Sequence, residues 1–369
     1  MIENSGYPAE LHTVVTEDNY ILGLHRIPTR EPTPKVALLM HGLYCSAAEF
    51  IVTGRSSSLA YFLADNGFDV WLANSRGNEF SKDHKFLASN STPYWNFSFH
   101  EMAKYDLPTV IDHILMTTNQ SALHYVGHSQ GTTVVMAMLS MLPQYNEKII
   151  TLHLMCPIVF LKHSGVFFRT VSSFADQIER AVESMETGEM FPGSPAFRKL
   201  LSFFCSKSSP SYQMCKDYVF ATAGPTFQWN DDLFIDPKLF DHFPNSVSYK
   251  QLIHYGQIIK AGGTRFLQYD HKHLGNLEVY NQTTPPSYHL SNVAVRIHFL
   301  YGTNDFLASY FDVEGLMRKF KTSTVGIDKF FGWNHADFLI GKEVNTVNRK
   351  ILGIMNQYNG VPTEGFVYN

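Results

Sequence analysis

Apolar and polar positions alternate in a regular way at the start of the chain. Two β-like runs, Leu11 to Thr16 and Tyr20 to Ile27, flank the turn signal Glu17-Asp18-Asn19, which predicts an antiparallel hairpin. After the loop Pro28 to Pro34, Val36 to Met40 is a continuous apolar run of buried-strand type. A helical pattern from Ser57 to Asn66 ends at Gly67, Asp69 to Leu72 reads as the next strand, and Asn74 to Asn78 reads as a polar loop. Phe99 to Met116 is amphipathic at helical spacing, with Pro108 marking a kink or a helix start. Leu123 to Val126 and Ile149 to Cys156 are further strands, separated by the helix-like Thr132 to Met141. Strands alternating with helices predict an α/β fold with a parallel sheet covered on both faces.

After Pro157 this alternation stops. Val171, Phe174, Ile178, Ala181, Val182 and Met185 repeat at helical spacing, with Arg169, Asp176, Glu179, Arg180 and Glu183 on the other face. Aromatic-rich Phe191 to Phe204, a Ser-rich loop from Cys205 to Cys215, Phe220 to Phe234 and helix-like Tyr249 to Ile259 follow. Alternation resumes with strand Val295 to Tyr301, loop Gly302 to Asp305, helix Phe311 to Phe320, strand Gly326 to Phe331, loop Gly332 to His335 and a closing helix Asp337 to Tyr358. The pattern divides the chain into a core of residues 1–158 and 293–369 with a helical cap, 159–292, inserted between them. The cap's apolar content suits its own packing and also a lid over an apolar substrate.

The strand-to-helix junction at Gly127-His128-Ser129-Gln130-Gly131 carries the chemistry. A strand that reverses into a helix over so few residues strains the turn residue and excludes bulky neighbours, a need that Gly127 and Gly131 meet. This G-x-S-x-G matches the nucleophile-elbow motif of α/β-hydrolases, which would put Ser129 at a helix N-terminus where the Gln130 N–H favours an oxyanion; strand before and helix after set it apart from a chance match in a loop. Serine needs a base, and the base an acid; in this fold they follow in the order Ser, Asp or Glu, His, each after a strand. Of 17 histidines, His335 lies after the last strand, in G-W-N-H-A-D, and Asp305 directly follows the penultimate strand. His128 reads as packing beside its strand, pointing away from the site, and Asp312 and Asp337 as solvated or capping charges. A second oxyanion donor comes from the loop after an early strand, where Gly42 lets the backbone approach and the Leu43 N–H is the candidate.

Composition narrows the classes. Hydrophobic residues make up 44% and charged residues 17%, which fits a globular enzyme and excludes a disordered chain. With 29 Lys plus Arg against 33 Asp plus Glu, no basic excess points to nucleic acid. The richest apolar run, Ile149 to Leu161, is shorter than the 18 or so residues of a membrane span and is broken by Thr151, His153 and Pro157. Cys45 and Cys156 read as small buried hydrophobes, Cys205 and Cys215 suit a local disulfide, and the absence of CxxC or Cys/His spacing disfavours a zinc site. Sequons at Asn90, Asn119 and Asn281 are candidates for glycosylation, whereas the one at Asn96 reads as buried in W-N-F-S-F. Disulfide and sequons agree on an oxidising lumen.

Together with these motifs, G-Y-P from Gly6, T-E-D-N-Y-I-L from Thr16, H-G-L from His41, D-V-W-L-A-N-S-R-G-N from Asp69, F-S-F-H-E-M-A-K-Y-D-L-P from Phe97 and L-H-Y-V-G-H-S-Q-G-T-T from Leu123 make the chain resemble the acid lipase family nearly end to end. The resemblance implies an eight-stranded, mostly parallel α/β-hydrolase sheet with a helical cap and mobile lid. It also implies hydrolysis of triacylglycerols or cholesteryl esters with no metal or organic cofactor, and transient contact of the cap with a lipid droplet, micelle or membrane surface. It carries over Ser129, Asp305 and His335 as triad and Leu43 and Gln130 as oxyanion donors, and matches Cys205–Cys215 to the family's cap disulfide with slightly different spacing. Between Pro157 and Asn292 the similarity is weak, so the substrate preference is left open. Members carry a signal peptide before G-Y-P; only five residues precede it here, so the signal is taken as missing from this sequence and the protein as secreted or lysosomal. Serine at the elbow excludes the epoxide hydrolases and dehalogenases of this fold, which use Asp. A small-ester esterase or peptidase and a lipid carrier without turnover remain as rival readings.

Overall fold

The computed structural model describes residues 1–185, 187–190, 193–231, 237–361 and 363. Phe191 and Phe234, which bound two of the aromatic stretches, lie outside the described residues, as do the side chains of Glu183 and Met185. Glu10–Val15 (β1) and Tyr20–Ile27 (β2) pair antiparallel, with Asn19 at φ 74° closing the turn. Val36–Met40 (β3) and Asp69–Ala73 (β4) are buried at every position, as are Leu123–His128 (β6), Ile149–Met155 (β7) and Ile297–Gly302 (β10). Strands covered on both faces need such continuous apolar runs.

Thr324–Phe330 (β11) completes the sheet order β1-β2-β4-β3-β6-β7-β10-β11, parallel from β4 onward. A two-residue strand, Asp83–His84 (β5), hangs on β2 as a ninth member. Because β3, β6, β7, β10 and β11 run in parallel, the loops that follow them emerge along one edge. In an open α/β sheet that edge is where ligands bind.

Across four neighbouring strands runs a buried polar file. His124 Nδ1 meets Thr151 Oγ1 at 2.6 Å, Thr151 meets His153 Nε2 at 2.8 Å, His153 Nδ1 meets His298 Nδ1 at 3.0 Å, and His298 Nε2 meets Asp328 Oδ2 at 2.8 Å.

The amphipathic stretch from Phe99 is not one helix. A capping box of Ser98 and Glu101 starts it, Met102–Asp106 form a π-helical turn, and Leu107–Thr118 continues with Pro108 in its first turn. A proline ring collides with the carbonyl four residues back, and the wider π turn, which holds Lys104, makes room for it. The closing helix is likewise two, Asp337–Ile340 and Val344–Tyr358.

Between β7 and β10 the chain is largely helical. Val166–Met185 packs along Tyr249–Lys260, where a Cβ on Gly256 would lie 3.2 Å from Ser172 Cα and where Ser172 Oγ donates to the Gly256 carbonyl at 3.0 Å. Glu189–Met190 (β8) and Val247–Ser248 (β9) form a short antiparallel ribbon. Cys205 and Cys215 are bonded, with Cα atoms 5.5 Å apart, but they do not bound a loop: Cys205 ends the helix Pro195–Cys205 and Cys215 lies in the first turns of Tyr212–Ala223. No helix among the described residues is long and apolar enough to cross a membrane.

Candidate active site

The elbow is strained and sterically fixed. Ser129, at φ 53° and ψ −117°, sits between β6 and the helix Gln130–Met141, a conformation that costs a non-glycine residue about 1–3 kcal/mol. Its N–H donates to the Met155 carbonyl at 3.0 Å and its own carbonyl accepts from Thr132 N–H at 2.9 Å. A Cβ on Gly131 would lie 2.3 Å from the Met40 carbonyl oxygen, and one on Gly127 would lie 2.8 Å from Gly131 C. Only glycine lets the helix cross these strands so closely.

Asp305 and His335 meet at this edge, 2.8 Å apart between Oδ2 and Nδ1. Asp305 Oδ1 accepts the Leu307 and Ala308 N–H groups at 2.9 and 2.8 Å. Burial opposes its charge, but the His335 ring and the Ala308 N–H outweigh burial and hold the carboxyl below its ordinary value. An ionised carboxylate can only accept, so Nδ1 of His335 carries a proton, the arrangement that leaves Nε2 to act as the base.

The loops that carry these two residues are laced together by the end of a cap helix. The Ala223 carbonyl accepts both Phe306 N–H and His335 N–H at 3.3 Å, and the Gly224 carbonyl accepts Asn334 Nδ2–H at 2.7 Å. Gly224 sits at φ 105°, where a Cβ would overlap the Asn304 carbonyl oxygen at 1.7 Å. Asp337, read from the sequence as solvated or capping, is buried. It accepts from Asn334 N–H at 2.6 Å and from Thr226 Oγ1 at 2.5 Å, and burial pushes it up to about 6. Asp312 is buried too, holding His163 through its ring and its N–H, both at 2.8 Å. Both acids fasten loops that the sequence pattern alone could not bring together.

The turn after β3 is fixed by hydrogen bonds that reveal a tautomer. His41 Nε2 accepts the Ser75 N–H at 3.0 Å, so its proton is on Nδ1, which donates to the Gly42 carbonyl at 2.7 Å. Burial keeps this ring neutral by lowering its proton affinity. A trans peptide points its N–H opposite to its carbonyl, so pinning the Gly42 carbonyl also aims the Leu43 N–H. A Cβ on Gly42 would lie 3.1 Å from Ser129 Cβ, which puts this turn against the elbow.

The stretch Asn74 to Asn78, read as a polar loop, is buried beneath this turn. Asn74 Oδ1 accepts the Ala47 N–H at 2.9 Å, and fully buried Arg76 donates to Asp106 at 2.9 Å and to Asp18 at 2.6 Å. Gln130 also anchors the cap: its Nε2 donates to Gln251 Oε1 at 2.9 Å and its Oε1 accepts from Tyr255 at 3.3 Å. Its backbone N–H is one of the amides at the helix start that have no partner within the helix.

Three residues that the sequence reading did not assign to the site lie at it. His128 does not point away: its Nε2 faces the His335 carbonyl at 3.3 Å and its Nδ1 lies 3.4 Å from Glu49. Cys156, at φ 51°, is buried with Sγ 3.8 Å from the His335 carbonyl. Glu49 carried no sequence signal, because an acid within an apolar helical turn looks solvated. His128, Cys156 and His335 bring ligand atoms within 4.8 Å of one another. Burial pushes the Cys156 thiol far up, and the Asp305 carboxylate faces His335 Nδ1.

Asn90, Asn119 and Asn281 are exposed. Asn119 and Asn281 close helices in the left-handed conformation, a backbone reason for asparagine independent of the sequon. Asn96 is exposed as well, contrary to the burial expected of it. Tyr94, Trp95, Phe97 and Phe99 around it are buried, and Asn96 is the residue of this stretch that faces outward.

Comparison with known proteins agrees with this geometry. Residues 1–54 match the family model described as a partial alpha/beta-hydrolase lipase region, and residues 36–188 match the alpha/beta hydrolase fold. Lipase 1 of Drosophila melanogaster is 37% identical over 99% of this chain and 81% of its own. Gastric triacylglycerol lipase of Mus musculus is 35% identical over 92% of this chain and 86% of its own. The structure of DcsB in complex with its substrate analogue superposes at a TM-score of 0.60 over 95% of this chain and all of that one; at 13% identity this speaks for the fold. With a nucleophile-elbow geometry at Ser129 and lipase relatives along nearly its whole length, the chain belongs to the acid lipase family of α/β-hydrolases, carboxylic ester hydrolases of the lipase type.

Proposed function

We propose that this lipase cleaves neutral lipid esters, triacylglycerol or cholesteryl ester, through an acyl-enzyme on Ser129. The observation that carries the reading is the 2.8 Å Asp305–His335 bond on the sheet edge where Ser129 turns into its helix. His335 Nε2 takes the Ser129 proton as Oγ attacks the ester carbonyl. Asp305 holds the tautomer and favours the imidazolium, which then protonates the leaving alkoxide. The N–H groups of Gln130 and Leu43 receive the oxyanion, and water, activated by the same histidine, releases the fatty acid.

The cap presents apolar side chains to solvent, Phe203 71% exposed, Met214 72% and Phe227 89%, which supports contact with a lipid droplet, micelle or membrane surface. The domain division at residues 159 and 292 fits the helical run between β7 and β10. The Cys205–Cys215 bond and the exposed sequons support a secreted or lysosomal setting. A hydrolysis panel of trioctanoin, triolein, cholesteryl oleate and p-nitrophenyl acetate, for the wild type beside Ser129→Ala, tests the reading. Long-chain turnover that vanishes in Ser129→Ala supports it; turnover of the acetate alone would make the protein a small-ester esterase.

A further inference from the structure

Beneath the triad lies a buried carboxyl–imidazole pair that the acyl-transfer scheme does not use. Glu49 and His128 are both buried, with side chains 6% and 5% exposed, and their charged atoms are 3.4 Å apart. Glu49 accepts the Gly42 N–H on both carboxylate oxygens, at 3.2 and 3.3 Å. On the other side of the pair, His128 Nε2 faces the His335 carbonyl at 3.3 Å, and the two imidazole rings have centroids 5.0 Å apart. Burial opposes a charge on His128, but Glu49, the His335 carbonyl and Asp305 more than offset it and raise its proton affinity; a carbonyl only accepts, so Nε2 carries a proton and donates to His335.

A buried carboxyl and imidazole are costly to keep for stability alone, since apolar residues of the same volume usually serve as well or better. This pair spans three separate segments of the site: the turn after β3 through Gly42, the elbow through His128 itself, and the loop after β11 through the His335 backbone. With the Gly42 carbonyl held by His41 and its N–H held by Glu49, both peptide planes around Gly42 are fixed.

We propose that Glu49 and His128 are positioning residues for ester hydrolysis, a buried clamp that sets the oxyanion turn and the His335 backbone in one register with Ser129. This rests on the triad reading above. Without the clamp the protein would still fold and bind ester, but His335 and the Leu43 N–H would no longer hold the geometry of the transition state, where misplacement by about 1 Å costs on the order of 100-fold.

The test uses the full chain and a soluble short-chain ester. The double variant Glu49→Gln/His128→Phe carries no lone buried charge, keeps an acceptor for Gly42 and removes the donor to His335. The clamp predicts a melting temperature within a few degrees of wild type, KM within about twofold and kcat lower by about 10- to 100-fold. Glu49→Ala, which strips the Gly42 acceptor, should lose kcat in the same range, with Glu49→Gln recovering most of it. If the double variant melts like wild type and keeps kcat within about twofold, the clamp is overturned and the pair is structural. Should Glu49→Ala fail to fold, the Glu49→Gln/His128→Phe comparison decides alone; should that one fail to fold as well, the pair is structural and the proposal is refuted. Fluorophosphonate labelling separates the two layers. If wild type is not labelled, or Ser129→Ala is labelled equally, the triad reading fails; labelling confined to wild type with an unchanged double variant sinks only the clamp.

Discussion

His124 ends the polar file that crosses the sheet, and its environment sets how the protein responds to acid. Burial lowers its affinity for a proton from the ordinary 6.5 to about 4. An unfolded chain would charge this histidine near 6.5 while the folded chain keeps it neutral. Stability is therefore fully present above about pH 6.5, declines as pH falls, and is exhausted near 4. At about 1.4 kcal/mol per tenfold difference in proton affinity, the gap is worth about 3 kcal/mol, and most of it is spent by pH 4.5. Against a total of about 5–15 kcal/mol for a domain, that is a large share.

Asparagine in place of His124 can still reach Thr151 but cannot titrate. Urea unfolding of wild type and His124→Asn at pH 7.5 and 4.5 should give a wild-type loss steeper by about 2–3 kcal/mol. Asp337 titrates in the opposite sense, since a carboxyl pushed up to about 6 adds stability below the unfolded value and loses it as pH rises through 6; being common to both proteins, it cancels. Parallel losses, within about 0.5 kcal/mol, would refute the argument.

Other expectations concern backbone crossings and the cap. Gly131→Ala should cost about 2–3 kcal/mol and most of the activity because its Cβ meets the Met40 carbonyl, while Gly353→Ala, with nothing within 4 Å in the helix Val344–Tyr358, should raise stability by about 0.5–1 kcal/mol; thermal melts compare them. Gly224→Ala should lower kcat on a soluble ester well beyond any change in KM, because the Cβ would displace Asn304 next to Asp305. Replacing Cys205 and Cys215 with serine should lower the cap's unfolding free energy by about 3 kcal/mol from restored loop entropy, read by limited proteolysis of the cap.

Much of the fold is legible in the chain because burial on both faces writes itself as apolar runs. Val36 to Met40 and Tyr20 to Ile27 can be bounded to the residue from pattern alone. Ser129, Asp305 and His335 can be located because the fold places each after a strand. Glu49, Arg76 and Asp337 cannot, since their meaning lies in partners distant in sequence: Asp106 for Arg76, Thr226 for Asp337, and the turn and elbow for Glu49. A polar residue that is buried and satisfied looks, in sequence, the same as one in water. His128 misled for a related reason, because adjacency to Ser129 says nothing about the side chain's direction until β11 and its loop are in place.

The Ala223 carbonyl, shared by the N–H groups of Phe306 and His335, has a consequence for anyone recombining lipases. On the function proposed above, the cap selects what reaches Ser129 while the sheet supplies the reaction, which makes the cap an attractive unit to transplant. Here the junction is not a neutral splice site. A graft running past residue 223 would import a foreign acceptor into the gap between the two loops, and a graft running past residue 226 would also discard Thr226, the partner of Asp337. Chimaeras cut within the helix Tyr212–Ala223, leaving Ala223 to Thr226 with the recipient, should inherit a new specificity and an intact base. Those cut outside that boundary should arrive with a new specificity and little turnover to express it.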